Sequence, residues 1–162
     1  MLLVYTDKIT PRITYIFKHI FENMLDLTVT FSTAVEVFVA HPGPKMSYAS
    51  KSLGDKFNIT SHSLLFERGV IEQDITVYDW EGIPAFFKTD DNSPIPYDIF
   101  AASFFLLSRY EESIHKIKKT NELFDSTQSL AFIEGFLEIP LVDIWVFKLH
   151  KIMTSYFAEI PP

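Results

Sequence analysis

The sequence predicts one α/β (or α+β) domain with a mixed sheet and flanking helices, and three observations support this. The chain has 162 residues, which fits a single domain of ordinary size. Hydrophobic residues make up 48%, and the 16 Phe among them can supply a large buried core. Near the amino terminus a strand pattern, a helix pattern and a second strand pattern follow one another, which is typical of a parallel β-α-β unit.

The β-α-β pattern begins with a short apolar strand over 2–5. Thr10 then suits a helix N-cap, and Pro11 suits the first helical position. The apolar residues that follow recur at helical spacing, so we expect the helix to end near Leu25. Apolar residues then alternate with Thr over 27–31, which predicts the second strand.

The middle of the chain predicts short elements. A capping box of Thr33 and Glu36 would begin a short helix that runs through Val39. Short strands are expected at 46–49, 57–60, 75–78 and 83–87. The last two strands flank the turn residues 79–82 and predict a hairpin, and 64–66 is a further short apolar run.

The second half predicts two apolar helices with a polar segment between them. Asp98 suits the N-cap of a helix over 99–112. The first part of this helix is apolar on almost every side, so we expect it to lie in the core. The polar segment 113–128 is expected to be a mobile loop. A short helix is expected over 129–134, and Pro140 opens the final amphipathic helix.

Composition excludes several classes of site. Without cysteine there is no disulfide, no thiolate zinc site and no cysteine nucleophile. The net charge is −7, and Lys and Arg are divided evenly, seven in 1–81 and seven in 82–162, so we expect no nucleic-acid partner. The longest uncharged apolar run, 99–108, is about half of what a membrane span needs. With no recognisable targeting segment, we expect a cytoplasmic protein.

Few residues have a pattern that indicates chemistry. The five His are widely spaced, so we expect no metal site and no cofactor in this chain. Asp98, Arg109 and Glu112, called the helix-end trio below, are candidate binding residues, because charges beside a buried helix must pair or face a cleft. Arg109 could pair with Asp98, with Glu112 or with Glu67. Glu67 and His62 are further binding candidates, and no catalytic residue is assigned.

Four parts of the sequence together resemble one family. The most specific part is 96–112, which reads PYDIFAASFFLLSRYEE; the others lie within 3–12, 63–67 and 129–142. Together they are similar to the N-terminal accessory domain found ahead of polysaccharide deacetylase-like catalytic domains in bacteria. The resemblance implies a larger parent protein, in which a metal-dependent hydrolase domain with one Asp and two His ligands follows. No residue of this chain matches that catalytic apparatus.

The resemblance and the residues lead to three hypotheses. The first is a non-catalytic accessory domain that docks onto the downstream domain or completes its cleft; it should show a contiguous exposed apolar patch. The second is a small stand-alone enzyme with a site around the helix-end trio, which should converge in a pocket. The third is a module that binds polysaccharide through exposed Trp80, Tyr78 or Tyr97, which should form a flat aromatic platform.

Overall fold

The structure is a computed structural model that describes residues 1–118, 129–130, 135 and 139–162. Its sheet is parallel, with the strand order β2-β1-β3-β4. The four strands are β1 (Leu2–Thr6), β2 (Val29–Ser32), β3 (Lys45–Ala49) and β4 (Asn58–Thr60). A separate antiparallel hairpin consists of β5 (Tyr78–Trp80) and β6 (Ile83–Ala85). The α/β class is therefore confirmed, and the parallel and antiparallel strands lie in two sheets.

The described residues include five α-helices and two irregular helical turns. The helices are α1 (Pro11–Lys18), α2 (Val35–Ala40), α3 (Ile99–Leu107), α4 (Tyr110–Lys118) and α5 (Leu141–Tyr156). A π-helical turn, His19–Met24, continues α1, and a 3-10 helix spans Ser63–Phe66.

The predicted β-α-β unit is present. Thr10 caps α1, since its Oγ1 accepts a hydrogen bond from the Ile13 N–H at 3.1 Å, and Pro11 is the first helical residue. The π-helical turn carries the helical conformation to Leu25, where it was predicted to end. β2 then pairs with β1 in parallel.

The two faces of the parallel sheet are covered by different helices, because side chains alternate along each strand. One face lies in the main core with α1 and α3, through Leu2, Val4, Met46, Tyr48 and Ile59. On the opposite face, Phe38 of α2 forms a small separate cluster with Leu3, Tyr5 and Ala49. Helices therefore lie on both faces of the sheet.

The helix predicted over 99–112 is broken, which is a correction to the sequence analysis. Arg109 has φ 56°, a left-handed conformation that costs a non-glycine residue about 1–2 kcal/mol and ends a right-handed helix. The chain restarts as α4, so Glu111 and Glu112 lie in its first turn. Acidic residues in the first turn interact favourably with the helix dipole, whereas at the carboxyl end of one long helix the interaction would be unfavourable.

Two further predictions concern the residues after Glu112. The predicted loop 113–128 begins inside α4, so its first residues are helical and the prediction is wrong for them. Residues 119–128 lie outside the described residues, and so do 131–134 of the predicted helix over 129–134. That helix stays a prediction.

The capping box predicted for Thr33 and Glu36 does not form. α2 begins after Ala34, which has extended backbone and makes no side-chain capping bond. Instead the Ser32 hydroxyl oxygen accepts a hydrogen bond from the Ala34 N–H at 3.1 Å.

The hairpin is present, but its turn is shorter than predicted. The turn residues are Glu81 and Gly82, with φ 50° and 89°, the sign that a two-residue type I′ turn requires. Asp79 and Trp80, which the sequence placed in the turn, belong to β5.

Candidate functional site

The central polar feature of the structure is the side chain of Asp98, which is completely buried. Its Oδ1 accepts hydrogen bonds from the N–H groups of Phe100 at 3.1 Å and Ala101 at 2.9 Å, so Asp98 caps α3 as predicted. Its Oδ2 accepts from the Tyr48 hydroxyl at 2.5 Å and the His62 N–H at 2.7 Å. Burial raises the pKa of Asp98 to about 6, although all four hydrogen bonds act to lower it.

His62 and Glu67 lie in the segment after β4, and the backbone N–H of His62 is the group there that contacts the Asp98 carboxylate. The His62 ring is half-buried and stacks on Phe87, with the ring centroids 4.1 Å apart. Burial lowers the pKa of His62, and the charge of Glu67 acts in the opposite direction. The carboxylate of Glu67 accepts hydrogen bonds from the Ser63 hydroxyl at 2.7 Å and the Gln73 amide at 2.9 Å. Both residues therefore contribute to the local structure of the segment after β4.

Phe87 is held in a strained backbone conformation beside Asp98 and His62. Its φ is 62°, which is uncommon for a bulky residue. Its carbonyl accepts a hydrogen bond from the Asp98 N–H at 2.9 Å, and its ring covers His62. The strain is maintained by contacts on both sides of the residue. No local sequence signal marks this position.

The structure separates the helix-end trio. Arg109 is exposed, with 78% of its side chain accessible, and its guanidinium lies 3.9 Å from the carboxylate of Glu112. Asp98 is buried at the opposite end of α3 and bonds to other groups. The trio therefore does not converge in one pocket, which removes the geometric support for a stand-alone enzyme built on it.

The aromatic residues considered for sugar binding do not form a platform. Trp80 and Tyr97 are buried and pack edge to face, with centroids 5.1 Å apart. The Tyr78 hydroxyl is also buried. Exposed, coplanar rings are what stacking on a sugar requires, and these three rings belong to the core and its margin.

A cavity of about 660 Å³ opens at the amino-terminal edge of the parallel sheet and is called the α2 cavity below. Segments from the end of α2, the loops before β3 and β4, and the chain after α5 line it. Its wall includes Val39, His41, Leu53, Asp55, Tyr156 and Glu159. The Nε2 atom of His41 is buried and has no hydrogen-bond partner. His41 thus carries an unsatisfied buried polar atom within the wall of a cavity that also has exposed apolar groups.

α2 leaves most of its apolar surface uncovered. Phe38 is its buried residue, while Val35, Val37 and Val39 are 43%, 50% and 66% exposed. Val35 and Val39 lie one turn apart on the same side, and Val39 reaches the α2 cavity. Val37 lies on the other flank of the helix. This surface was not identified from the sequence, which predicted a short helix through Val39 without assigning its buried and exposed sides.

A second cavity, of about 530 Å³, opens at the opposite edge of the sheet and is called the β1 cavity below. It lies beyond the carboxyl end of β1, beside the start of α1. Its wall is formed by Lys8, Ile9, Arg12, Phe66, Glu67 and Arg68, among others. Glu67, a binding candidate from the sequence, is part of this wall.

Among the residues that the structure describes, no group of three or more His, Asp or Glu could hold a metal ion. None of the described helices is long and apolar enough to cross a membrane. The cytoplasmic location inferred from the sequence stays a prediction.

The fold and its sites define an α/β domain with a buried carboxylate at its centre and cavities at opposite edges of its parallel sheet. The chain belongs to a protein family of unknown function, DUF7033, whose model matches residues 2–158. No curated protein and no solved structure matches the chain. The resemblance to the N-terminal domain of polysaccharide deacetylase-like proteins therefore stays a prediction.

Proposed function

We propose that this chain is a non-catalytic accessory domain that docks onto a catalytic domain following it in the same protein. The partner that the sequence resemblance implies is a polysaccharide deacetylase-like domain. The α2 cavity carries the proposal, because its rim exposes large apolar side chains that a docking surface would cover: Val39, Leu53 and Tyr156.

Two properties of the α2 cavity favour a protein partner over open water. Burial of apolar surface is favourable by roughly 25 cal/mol per Å², so covering the exposed rim would stabilise the complex. The buried Nε2 of His41 lacks a hydrogen bond, and leaving such an atom unsatisfied costs about 1–3 kcal/mol. If the His41 ring moved on docking, a polar group of the partner could bond to this atom and recover part of that cost.

The chain after α5 also lies at the α2 cavity. Tyr156 and Glu159 line the α2 cavity, and the His150 Nε2 lies 2.8 Å from the Pro161 carbonyl oxygen. A domain joined after Pro162 would therefore begin at the same edge of the sheet as the cavity. A short connection gives the partner a high effective concentration at this surface.

The test uses the full-length protein and two variants of the same helix, Val39→Asp and Val37→Asp. Both place a carboxylate on α2, but only Val39 faces the α2 cavity. If the domains dock, calorimetry of the wild type should show coupled unfolding, and Val39→Asp should split it into two transitions. Val37→Asp should leave the coupling intact, and circular dichroism checks that both variants fold.

Two results would contradict the proposal. One is a coding sequence with no catalytic domain after Pro162. The other is that Val39→Asp and Val37→Asp leave the unfolding profile and the hydrolase activity of the full-length protein equally unchanged.

A further inference from the structure

The β1 cavity lies where an open parallel sheet offers a natural crevice. From β1 the chain passes through α1 to β2 on one side, and then through α2 to β3 on the other side of β1. The direction of the strand order thus reverses between β1 and β3. In such sheets, ligands bind outside the carboxyl ends of the strands at this reversal. The volume of about 530 Å³ is within the usual range of small-molecule sites.

The side chains around the β1 cavity carry a net positive charge, although the net charge of the whole chain is −7. Three cationic side chains, Lys8, Arg12 and Arg68, line it together with one carboxylate, that of Glu67. Among the described residues, none of the three cations has an ion-pair partner. The carboxylate of Glu67 accepts hydrogen bonds from Ser63 and Gln73, which hold it in place but leave its negative charge, so the three cations of the cavity still outnumber it by two.

The wall of the cavity is held in place by side chain–backbone bonds between α1 and the segment after β4. The Arg12 guanidinium donates to the carbonyls of Leu64, at 2.8 Å, and of Gly69. The Thr10 hydroxyl donates to the Leu65 carbonyl at 2.7 Å. Carbonyl partners do not cancel the charge of Arg12, so the positive potential is fixed in position before any ligand arrives.

We propose that the β1 cavity binds a small organic anion, a carboxylate or a phosphate monoester. Lys8 and Arg68 bind its charged group, because neither side chain has a hydrogen-bond partner among the described residues and charge-assisted hydrogen bonds are the strong ones. The carbon part of the ligand packs on Ile9 and Phe66, which supply apolar wall. This site is independent of the proposed docking surface, which lies at the opposite edge of the sheet.

The test is calorimetric titration of the purified protein at low salt with two pairs of probes. Inorganic phosphate and phenyl phosphate form one pair, and acetate and benzoate form the other. Saturable binding at one site per chain is expected for one pair, which identifies the charged group. The aromatic member of that pair should bind more tightly, because its ring adds contact with the apolar wall.

The variant Lys8→Gln/Arg68→Gln should lose at least about tenfold in affinity, since each removes a charge-assisted bond. Lys18→Gln/Lys151→Gln changes the net charge equally but lies outside the cavity, and it should bind like the wild type. The proposal is overturned if no probe binds saturably, or if the two double variants bind equally well. Amide chemical shifts of 8–10, 12 and 66–69 should move on binding, and changes confined to other residues would also overturn it.

Discussion

Replacing Asp98 with Asn should lower the free energy of unfolding by an amount that depends on pH. The amide oxygen can keep both capping bonds to α3, but the amide nitrogen then faces the His62 N–H, from which it cannot accept. A buried N–H without an acceptor costs about 1–3 kcal/mol. This is the cost expected near pH 4, where a carboxyl with a pKa of about 6 is itself uncharged.

At higher pH the wild type should lose the advantage that it has over Asp98→Asn. The pKa of Asp98 is raised from 3.8 in the unfolded chain to about 6 in the folded protein, so between these values the folded state binds more protons. Stability from this group is therefore fully present below pH 3.8 and is lost as the pH rises through about 6. The difference between the two pKa values corresponds to about 3 kcal/mol.

The assay is urea unfolding of wild type and Asp98→Asn from about pH 4 to pH 7.5, because the pH dependence of the free energy of unfolding reports the difference in pKa between the folded and unfolded states. The free energy of unfolding of Asp98→Asn should lie about 1–3 kcal/mol below wild type at the acid end. At pH 7.5 this difference in free energy of unfolding between wild type and Asp98→Asn should be smaller by about 3 kcal/mol, so that it disappears or changes sign. Asp79→Asn, on the exposed hairpin, controls for the loss of one carboxylate from the net charge. A gap that stays constant over the whole range would refute the assignment of Asp98 as a buried, destabilised anion.

Three further predictions concern the core, the hairpin and metal binding. Phe105 is buried against the ring of Phe86, so Phe105→Ala should lower the free energy of unfolding by about 3–5 kcal/mol, and an unchanged thermal midpoint would contradict the central position of α3. Glu81→Asn should raise the free energy of unfolding by up to about 1 kcal/mol, because Asn tolerates φ 50° better and the Glu81 side chain, 63% exposed, gains little from Lys148; a decrease in urea unfolding would contradict this. Elemental analysis should find no stoichiometric zinc; one zinc per chain that is lost in His62→Ala would show this to be wrong.

Much of the local structure could be predicted, because its causes act over a few residues. The Thr10 cap, the apolar stripe of α1 and the Asp98 cap are all interactions within about one helical turn, and each is present in the structure. The break at Arg109 was missed because the local pattern shows no sign of it. An apolar run followed by Arg-Tyr-Glu-Glu reads as one helix unless the left-handed residue is known.

The candidate site was predictable only in part. His62, Glu67 and Asp98 were selected one at a time, yet the bond between the His62 N–H and the Asp98 carboxylate joins residues 36 positions apart. Arg109 was selected with them because it lies on the same apolar run, and the structure places it in solvent at the other end of α3. Spacing along the chain shows which residues share a helix but not which partners reach them from other elements.

The sequence by itself determined the α/β class, the β-α-β unit and the cap of α3, since hydrophobic periodicity and capping depend on neighbours in the chain. Only the tertiary structure decided that Asp98 is buried, that Val39 remains exposed and that Lys8 and Arg68 share a cavity. Those properties depend on which distant segments cover a side chain and which leave it open. Burial, pKa and the shape of a cavity follow from packing, and packing is not a local property of the chain.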